Sequence, residues 1–178
     1  DKSLLARRIK LAEICVMVLA AISLWLLTDA PGSRPVVLLT VRKVRSLAKP
    51  NDAAHDWASV ALNLAGDLNE AELTDRQRGR VEDFKRLAVS KPIGFYTWTP
   101  DLRRSWVFLK FLQRRMDDGE REAVRSLVQD HPELKKGYRD ANEIIRRASS
   151  PTRFSHLLQG GDRFLPAAGT KEGALFVR

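Results

Sequence analysis

Hydrophobic residues run without a charge through one stretch near the start of the chain. From Ile14 to Leu27 there are fourteen consecutive uncharged residues, and a helix built from them is apolar on every side. Extended back to Leu11, such a helix is about 26 Å long, slightly less than the ~30 Å hydrocarbon layer of a bilayer. The pattern predicts a single-pass transmembrane anchor. Its representative apolar positions are Ile14, Val18, Leu19, Ile22, Trp25 and Leu26.

Charged residues precede this stretch in the order that is typical of a signal-anchor. Arg7, Arg8 and Lys10 flank its first end, and positive flanks stay on the cytoplasmic side. We therefore expect a cytoplasmic N-terminus and a main domain outside the cytoplasm. Thr28–Ala30 is a poor cleavage site, and Pro31 follows it. Two other interpretations stay open, namely a helix buried in a protein core and a cleaved signal segment.

Basic and apolar residues share the next segment, 31–50, at helical spacing. Val37, Val41 and Val44 fall on one face, although the apolar run 36–39, which begins with two β-branched valines, also allows a short strand. The segment has five basic residues and no acidic one. We interpret it as a basic amphipathic helix at an anionic membrane surface; the alternative is an ordinary helix docked on the domain. The predicted contacts with the anionic surface are Arg42, Lys43, Arg45 and Lys49.

Five further apolar stripes between residues 51 and 148 predict the helices of a small bundle. Gly66 marks the end of the first, Thr74 and Gln77 can form a capping box at the second, and Thr99 can cap the third. The third helix has the widest apolar face, which predicts a central position. The predicted class is all-α, with these parts in order: a hydrophobic helix (1–30), a basic juxtamembrane segment (31–50), a helical domain (51–148) and an extended C-terminal arm (149–178).

Aromatic residues concentrate in the loop before the third helix of the bundle. Phe95, Tyr96 and Trp98 occupy three of four consecutive positions after Pro92 and Gly94. Aromatic side chains dominate the energetics of cores and interfaces alike, so core packing is the alternative to a partner contact. The predicted partner contacts are Phe95, Tyr96, Trp98, Phe108, Phe111, Phe164 and Phe176.

Candidate chemistry is sparse along the chain. Asp52, His55 and Asp56 share one helical face at a spacing that can bind metal, but such residues at a helix start usually cap and solvate it. The residues after Asp67 begin like a calcium loop but lack its glycine and its final glutamate. Cys15 is the only cysteine, which excludes a disulfide within the chain. We predict no catalytic, cofactor-binding or metal-binding residues, and no enzyme.

The net charge of +9 suits anionic lipid, nucleic acid or an acidic partner. Together these patterns predict a non-catalytic, membrane-anchored accessory subunit of a larger membrane protein complex, which contacts its neighbours through the helical domain and the arm. The alternative is a soluble basic helical protein of a nucleic-acid assembly, such as a ribosomal accessory protein. Its basis is a set of arginine pairs that includes Arg103-Arg104 and Arg114-Arg115.

Overall fold

The computed structural model describes residues 33–149 and 157–165. The described part belongs to the all-α class, as predicted: its regular elements are helices, and no β strand occurs in it. The chain divides into two compact units, Asp1–Arg34 and Pro35–Arg178, and the helical domain belongs to the second. The helices are α1 (Ser33–Leu47), α2 (Ala53–Ala65), α3 (Asp75–Arg86), α4 (Pro100–Leu112), α5 (Asp118–Asp130) and α6 (Pro132–Ser149). Short 3₁₀ turns occupy Glu70–Glu72, Ala88–Ser90, Gly94–Thr97 and Leu157–Gln159.

Helix α2 is the most enclosed element of the domain. Ten of its thirteen residues are buried, because alanine and serine let neighbouring helices approach closely from several sides. Helices α3, α4 and α5 pack on it. The fully buried Trp57 contacts Phe111 of α4 and Phe164, with ring centroids 6.3 and 4.8 Å apart. Although its apolar face predicted a central position for α4, that position belongs to α2.

Helix boundaries follow the capping residues that the sequence predicts. Gly66 ends α2 in the left-handed conformation, with φ of 78°. The Thr74 hydroxyl accepts a hydrogen bond from the Gln77 amide at 3.3 Å, and the Gln77 side chain accepts one from the Thr74 amide at 3.0 Å. Thr99 accepts from the amide of the third residue of α4 at 3.2 Å. Helix α4 ends at Leu112.

The apolar run 36–39 lies in α1, so the alternative of a short strand is wrong. Burial of one apolar face against the domain favours the helix, because valines spaced by three and four residues come together only in helical geometry. Thr40 lies on the same side, and a Cβ added to Gly137 of α6 would lie 3.1 Å from its hydroxyl. Gly137 therefore permits a close approach of α6 to α1. The buried apolar residues of α1 and its end are Val37, Val41, Val44 and Ala48.

Residues 157–165, the described part of the predicted C-terminal arm, pack into the core. Leu157 and Phe164 are fully buried. The Tyr138 hydroxyl holds both of them, because it accepts a hydrogen bond from the Leu157 amide at 2.9 Å and donates one to the Phe164 carbonyl at 3.2 Å. This part of the chain is therefore a component of the domain and not an extended arm. Residues 166–178 lie outside the described residues.

Candidate interaction surface

One segment supplies most of the large apolar side chains that the described residues expose to solvent. The exposed loop, residues 87–98, contains Leu87, Val89, Ile93 and Trp98, with exposed fractions of 50%, 48%, 64% and 71%. Leu39 of α1 is the other large apolar residue that is exposed among those described. A cluster of this kind on one loop marks a candidate interaction surface, whereas scattered exposed residues need no explanation.

Hydrogen bonds fix the first half of the exposed loop to its own backbone and to α4. The Ser90 hydroxyl is buried and donates to the Leu87 carbonyl at 2.7 Å. The Trp106 indole of α4 donates to the Val89 carbonyl at 3.2 Å. These bonds leave the Leu87 and Val89 side chains pointing away from the core, since both remain about half exposed.

The second half of the exposed loop is held against the first turns of α4. The Arg103 guanidinium donates two hydrogen bonds, of 3.0 and 2.8 Å, to the Thr97 carbonyl. The Tyr96 ring packs on the Trp106 ring with their centroids 4.8 Å apart. On the same indole lies the Lys110 ammonium, 4.5 Å from the ring centroid, and burial there lowers the pKa of Lys110. The loop is thus held in place by α4 and displays its apolar side chains.

Basic residues outnumber acidic ones in the sequence around the exposed loop, although one of them, Arg86, pairs with Glu82 and Asp83. Between Lys85 and Lys110 the chain has six basic residues and one acidic residue, a net charge of +5. The acidic residue, Asp101, lies in the first turn of α4, where it suits the helix dipole and pairs with Arg104 at 3.0 Å. The surface therefore combines exposed apolar groups with an excess of cations.

Helix α4 runs antiparallel to α2, which places the exposed loop at the C-terminal end of α2. Trp57, in the first half of α2, contacts Phe111 near the end of α4. At the other end, a Cβ added to Gly66 would lie 3.0 Å from the Arg104 side chain in the second turn of α4. Since the loop immediately precedes α4, it lies beside Gly66 and not beside the start of α2.

The chain enters the domain at this same end. Helices α1 and α2 form an antiparallel hairpin with a short connection, and Arg42 of α1 pairs with Asp67 just after α2. Pro35 lies seven residues before Arg42, about two helical turns further toward that end. The start of α1 and the exposed loop are therefore on the same end of the domain.

Three of the four basic residues predicted to contact an anionic surface lie on α1, and the fourth, the exposed Lys49, follows the helix. The other three bind groups of the domain, and they help to dock α1. These contacts are Arg42 with Asp67, Lys43 with Glu133 at 3.8 Å, and Arg45 with the Ser59 hydroxyl at 3.1 Å. Contact of this face with anionic headgroups stays a prediction.

The predicted partner-contacting aromatics separate into two groups. Tyr96 is half-buried and Trp98 is exposed, so both lie at the candidate surface. The side chain of Phe95 and the whole of Phe176 lie outside the described part of the chain. Three others are core residues and present no surface to a partner. These are Phe108, Phe111 and Phe164, which are at most 2% exposed.

A buried charge cluster, which the apolar periodicity does not predict, joins α3, α5 and the turn after α4. Glu120 is 1% exposed and accepts hydrogen bonds of 2.6 and 2.7 Å from Arg114, and it also pairs with Arg80. Its side chain and that of Asp117 form a capping box at the start of α5. Desolvation lowers the pKa of Arg114 to about 10, and the nearby Arg80 acts in the same direction. In the sequence, the Asp-x-x-Glu spacing of Asp117 and Glu120 indicates the capping box but not the two arginines that bind Glu120.

The Asp52, His55 and Asp56 side chains at the start of α2 have separate roles in the structure. The buried Asp56 carboxylate accepts a hydrogen bond from Gln77 at 2.7 Å, whereas Asp52 occupies the N-cap position. Burial lowers the pKa of His55, and the nearby Arg45 acts in the same direction. Among the described residues no group of three acidic, histidine or cysteine side chains is arranged to hold a metal ion.

No protein-family model, no curated protein and no solved structure matches this chain. The predicted anchor, Ile14–Leu27, lies outside the described residues. Within the described ranges no helix has both the length and the apolarity of a membrane span.

Proposed function

We propose that the chain is a non-catalytic accessory subunit of a membrane protein complex, with Ile14–Leu27 as a single-pass anchor. The anchor holds the helical domain at the membrane surface, on the side opposite the basic N-terminal flank. The observation that carries this proposal is that the exposed loop and Pro35 occupy the same end of the domain. A domain tethered at that end keeps its apolar and basic loop close to the bilayer and to the subunits within it.

The use of the buried polar groups supports a structural and not a catalytic role. Glu120 is saturated by two arginines and a backbone amide, and Asp56 is bound by Gln77. The buried hydroxyl of Tyr138 holds the segment 157–165. Each of these groups binds another part of the chain, which stabilises the fold and leaves it unavailable to a substrate.

The soluble nucleic-acid alternative relies on arginine pairs that contact their own domain. An arginine bound to a carboxylate or carbonyl has fewer donors left for phosphate, so these contacts favour the membrane proposal. They are Arg103 with the Thr97 carbonyl, Arg104 with Asp101, Arg114 with Glu120, and Arg115 with Asp162 at 3.4 Å. Tight RNA or DNA binding that weakens steeply with salt would favour the alternative instead.

The anchor is tested by placing an arginine in the middle of the apolar stretch. We expect Leu19→Arg to release the chain from membranes, because a central arginine costs about 2.5–3.5 kcal/mol on insertion scales. The matched control is Leu39→Arg, the same change at a leucine that is 55% exposed on α1. Membrane and soluble fractions are compared by immunoblotting. Equal retention of both variants would refute the anchor.

A further inference from the structure

We propose that the exposed loop, residues 87–98, inserts its apolar side chains into the interfacial layer of an anionic lipid bilayer. The loop would form a second membrane contact beside the anchor. This inference rests on the proposed function, because the anchor supplies the bilayer next to the domain. The occupant of the surface is therefore lipid, and a protein or nucleic-acid occupant is an outcome that the test can reveal.

The side chains of the exposed loop fit the interface between headgroups and acyl chains. Trp98 is the most exposed large apolar residue among those described, and tryptophan is enriched at this depth of a membrane. Ile93, at 64% exposure, and Leu87 and Val89, at about half, add aliphatic groups beside it. Because α4 already fixes the backbone of the loop, insertion would cost little further conformational entropy.

The cations of the exposed loop favour an anionic bilayer over a protein partner. Lys85, Lys91 and Arg103 are exposed and lie within or beside the apolar positions. Lys91 and Arg103 donate to backbone carbonyls, which leaves their charges uncompensated by any acid in those contacts. Lysine is depleted in the cores of protein interfaces, whereas a mixture of lysine, arginine and tryptophan is typical of interfacial membrane segments.

The position of the exposed loop matches the point where the anchor joins the domain. Seven residues separate Leu27 from Pro35, so the two lie at most about 28 Å apart even in an extended chain. Pro35 and the exposed loop share one end of the domain, while Lys49 is at the other end of α2. A short tether attached at this end raises the effective concentration of lipid at the loop.

The test places an environment-sensitive fluorophore on the exposed loop of the full chain. A Cys15→Ala background removes the only native cysteine, and Ile93→Cys supplies the labelling site. The matched control is Asp118→Cys, at a side chain that is 87% exposed and follows the other end of α4. Both proteins are reconstituted into vesicles of phosphatidylcholine with or without phosphatidylglycerol. We expect a blue shift of the Ile93 label in anionic vesicles and none for the Asp118 label.

A charge variant tests the role of the cations. Lys91→Gln should lower the ratio of inserted to free loop about fivefold in anionic vesicles, since one lysine near such a surface contributes on that order. Because the residue is exposed, the fold should tolerate the change. An unchanged ratio would overturn the role of charge in the proposed contact.

Flotation after a high-salt wash distinguishes failure of this inference from failure of the anchor. If the chain floats but the Ile93 label stays unshifted, or shifts no more than the Asp118 label, the lipid contact is overturned and the anchor stands. If the label shifts but the wash removes the chain, the loop contact stands and the anchor falls. If neither occurs, both are overturned. A shift with RNA or with native membranes, but not with protein-free vesicles, also overturns lipid as the occupant.

Discussion

Replacing Glu120 with glutamine tests whether the buried charge cluster holds the helices together. The change keeps the shape of the side chain and removes its negative charge. In the native domain the carboxylate binds Arg80, accepts two hydrogen bonds from Arg114 and caps α5 through the Asp117 amide. A glutamine oxygen can keep only part of this set, because its other terminal atom is a donor that faces arginine donors.

The expected loss follows from the number and exposure of these contacts. A hydrogen bond to a charged group contributes about 1.5–3 kcal/mol, and removal of one partner from a buried ion pair costs about 3–5 kcal/mol. The Arg80 and Arg114 side chains keep 24% and 22% of their surface exposed, so water can compensate part of the loss. We therefore expect Glu120→Gln to lower the free energy of unfolding by about 2–3 kcal/mol.

Urea unfolding of the full chain in detergent, followed by circular dichroism, measures this difference. The matched control is Glu122→Gln on the same helix, where the carboxylate is 65% exposed and pairs with Arg125. An exposed pair of this kind contributes less than about 1 kcal/mol, so the control should unfold close to the wild type. If Glu120→Gln were no less stable than this control, the structural role of the cluster would be refuted.

Three further predictions concern stability and are checked by thermal or urea unfolding. Tyr138→Phe should lower the free energy of unfolding by about 1–3 kcal/mol, because two buried backbone groups lose their hydrogen-bond partner. Burial raises the pKa of Tyr138, so this tyrosine should make the free energy of unfolding of the wild type fall as pH rises above about 10. An equal fall in the variant would contradict the assignment. Burial lowers the pKa of His55, so its contribution to the free energy of unfolding is complete above about pH 6.5 and falls as the pH drops below that value. His55→Gln should lack this pH dependence, and an unchanged pH dependence would contradict the role of His55. A methyl group added at Gly79 meets open space, so Gly79→Ala should raise the free energy of unfolding by about 0.5–1 kcal/mol. Gly137→Ala should raise it less, because its Cβ approaches Thr40, and equal increases would contradict the tight contact.

The helices of the domain could be predicted because their signals are local. A capping box needs residues three apart, and Thr74 with Gln77 met this condition. Asp117 and Glu120 meet it as well, at the start of α5. Local signals of this kind specify where a helix begins, whereas they do not specify which helix is central.

Contacts between distant parts of the chain could not be predicted from periodicity. The hydroxyl of Tyr138 binds a carbonyl 26 residues away, at Phe164, and the Phe164 ring packs on Trp57. Nothing near Phe164 distinguishes a core residue from a partner contact, because its surroundings are rich in glycine and it lies in no long helix. Its burial depends on a space that α2 and α6 create together.

The candidate surface was predictable in part. Proline, glycine and three aromatics identified the loop around Tyr96 and Trp98. That Tyr96 packs on Trp106 while Trp98 stays exposed depends on the orientation of α4 beneath the loop, which the sequence leaves open. The common end shared by this loop and Pro35 is likewise a consequence of antiparallel packing in three dimensions.

Alkaline carbonate extraction of membranes that contain the full chain tests the central claim most directly. A chain anchored by Ile14–Leu27 remains with the lipid, because high pH removes proteins held by charge or by other proteins but not a spanning helix. We predict that the protein stays in the membrane pellet. Its complete release into the supernatant would contradict the membrane anchor and, with it, the proposed function.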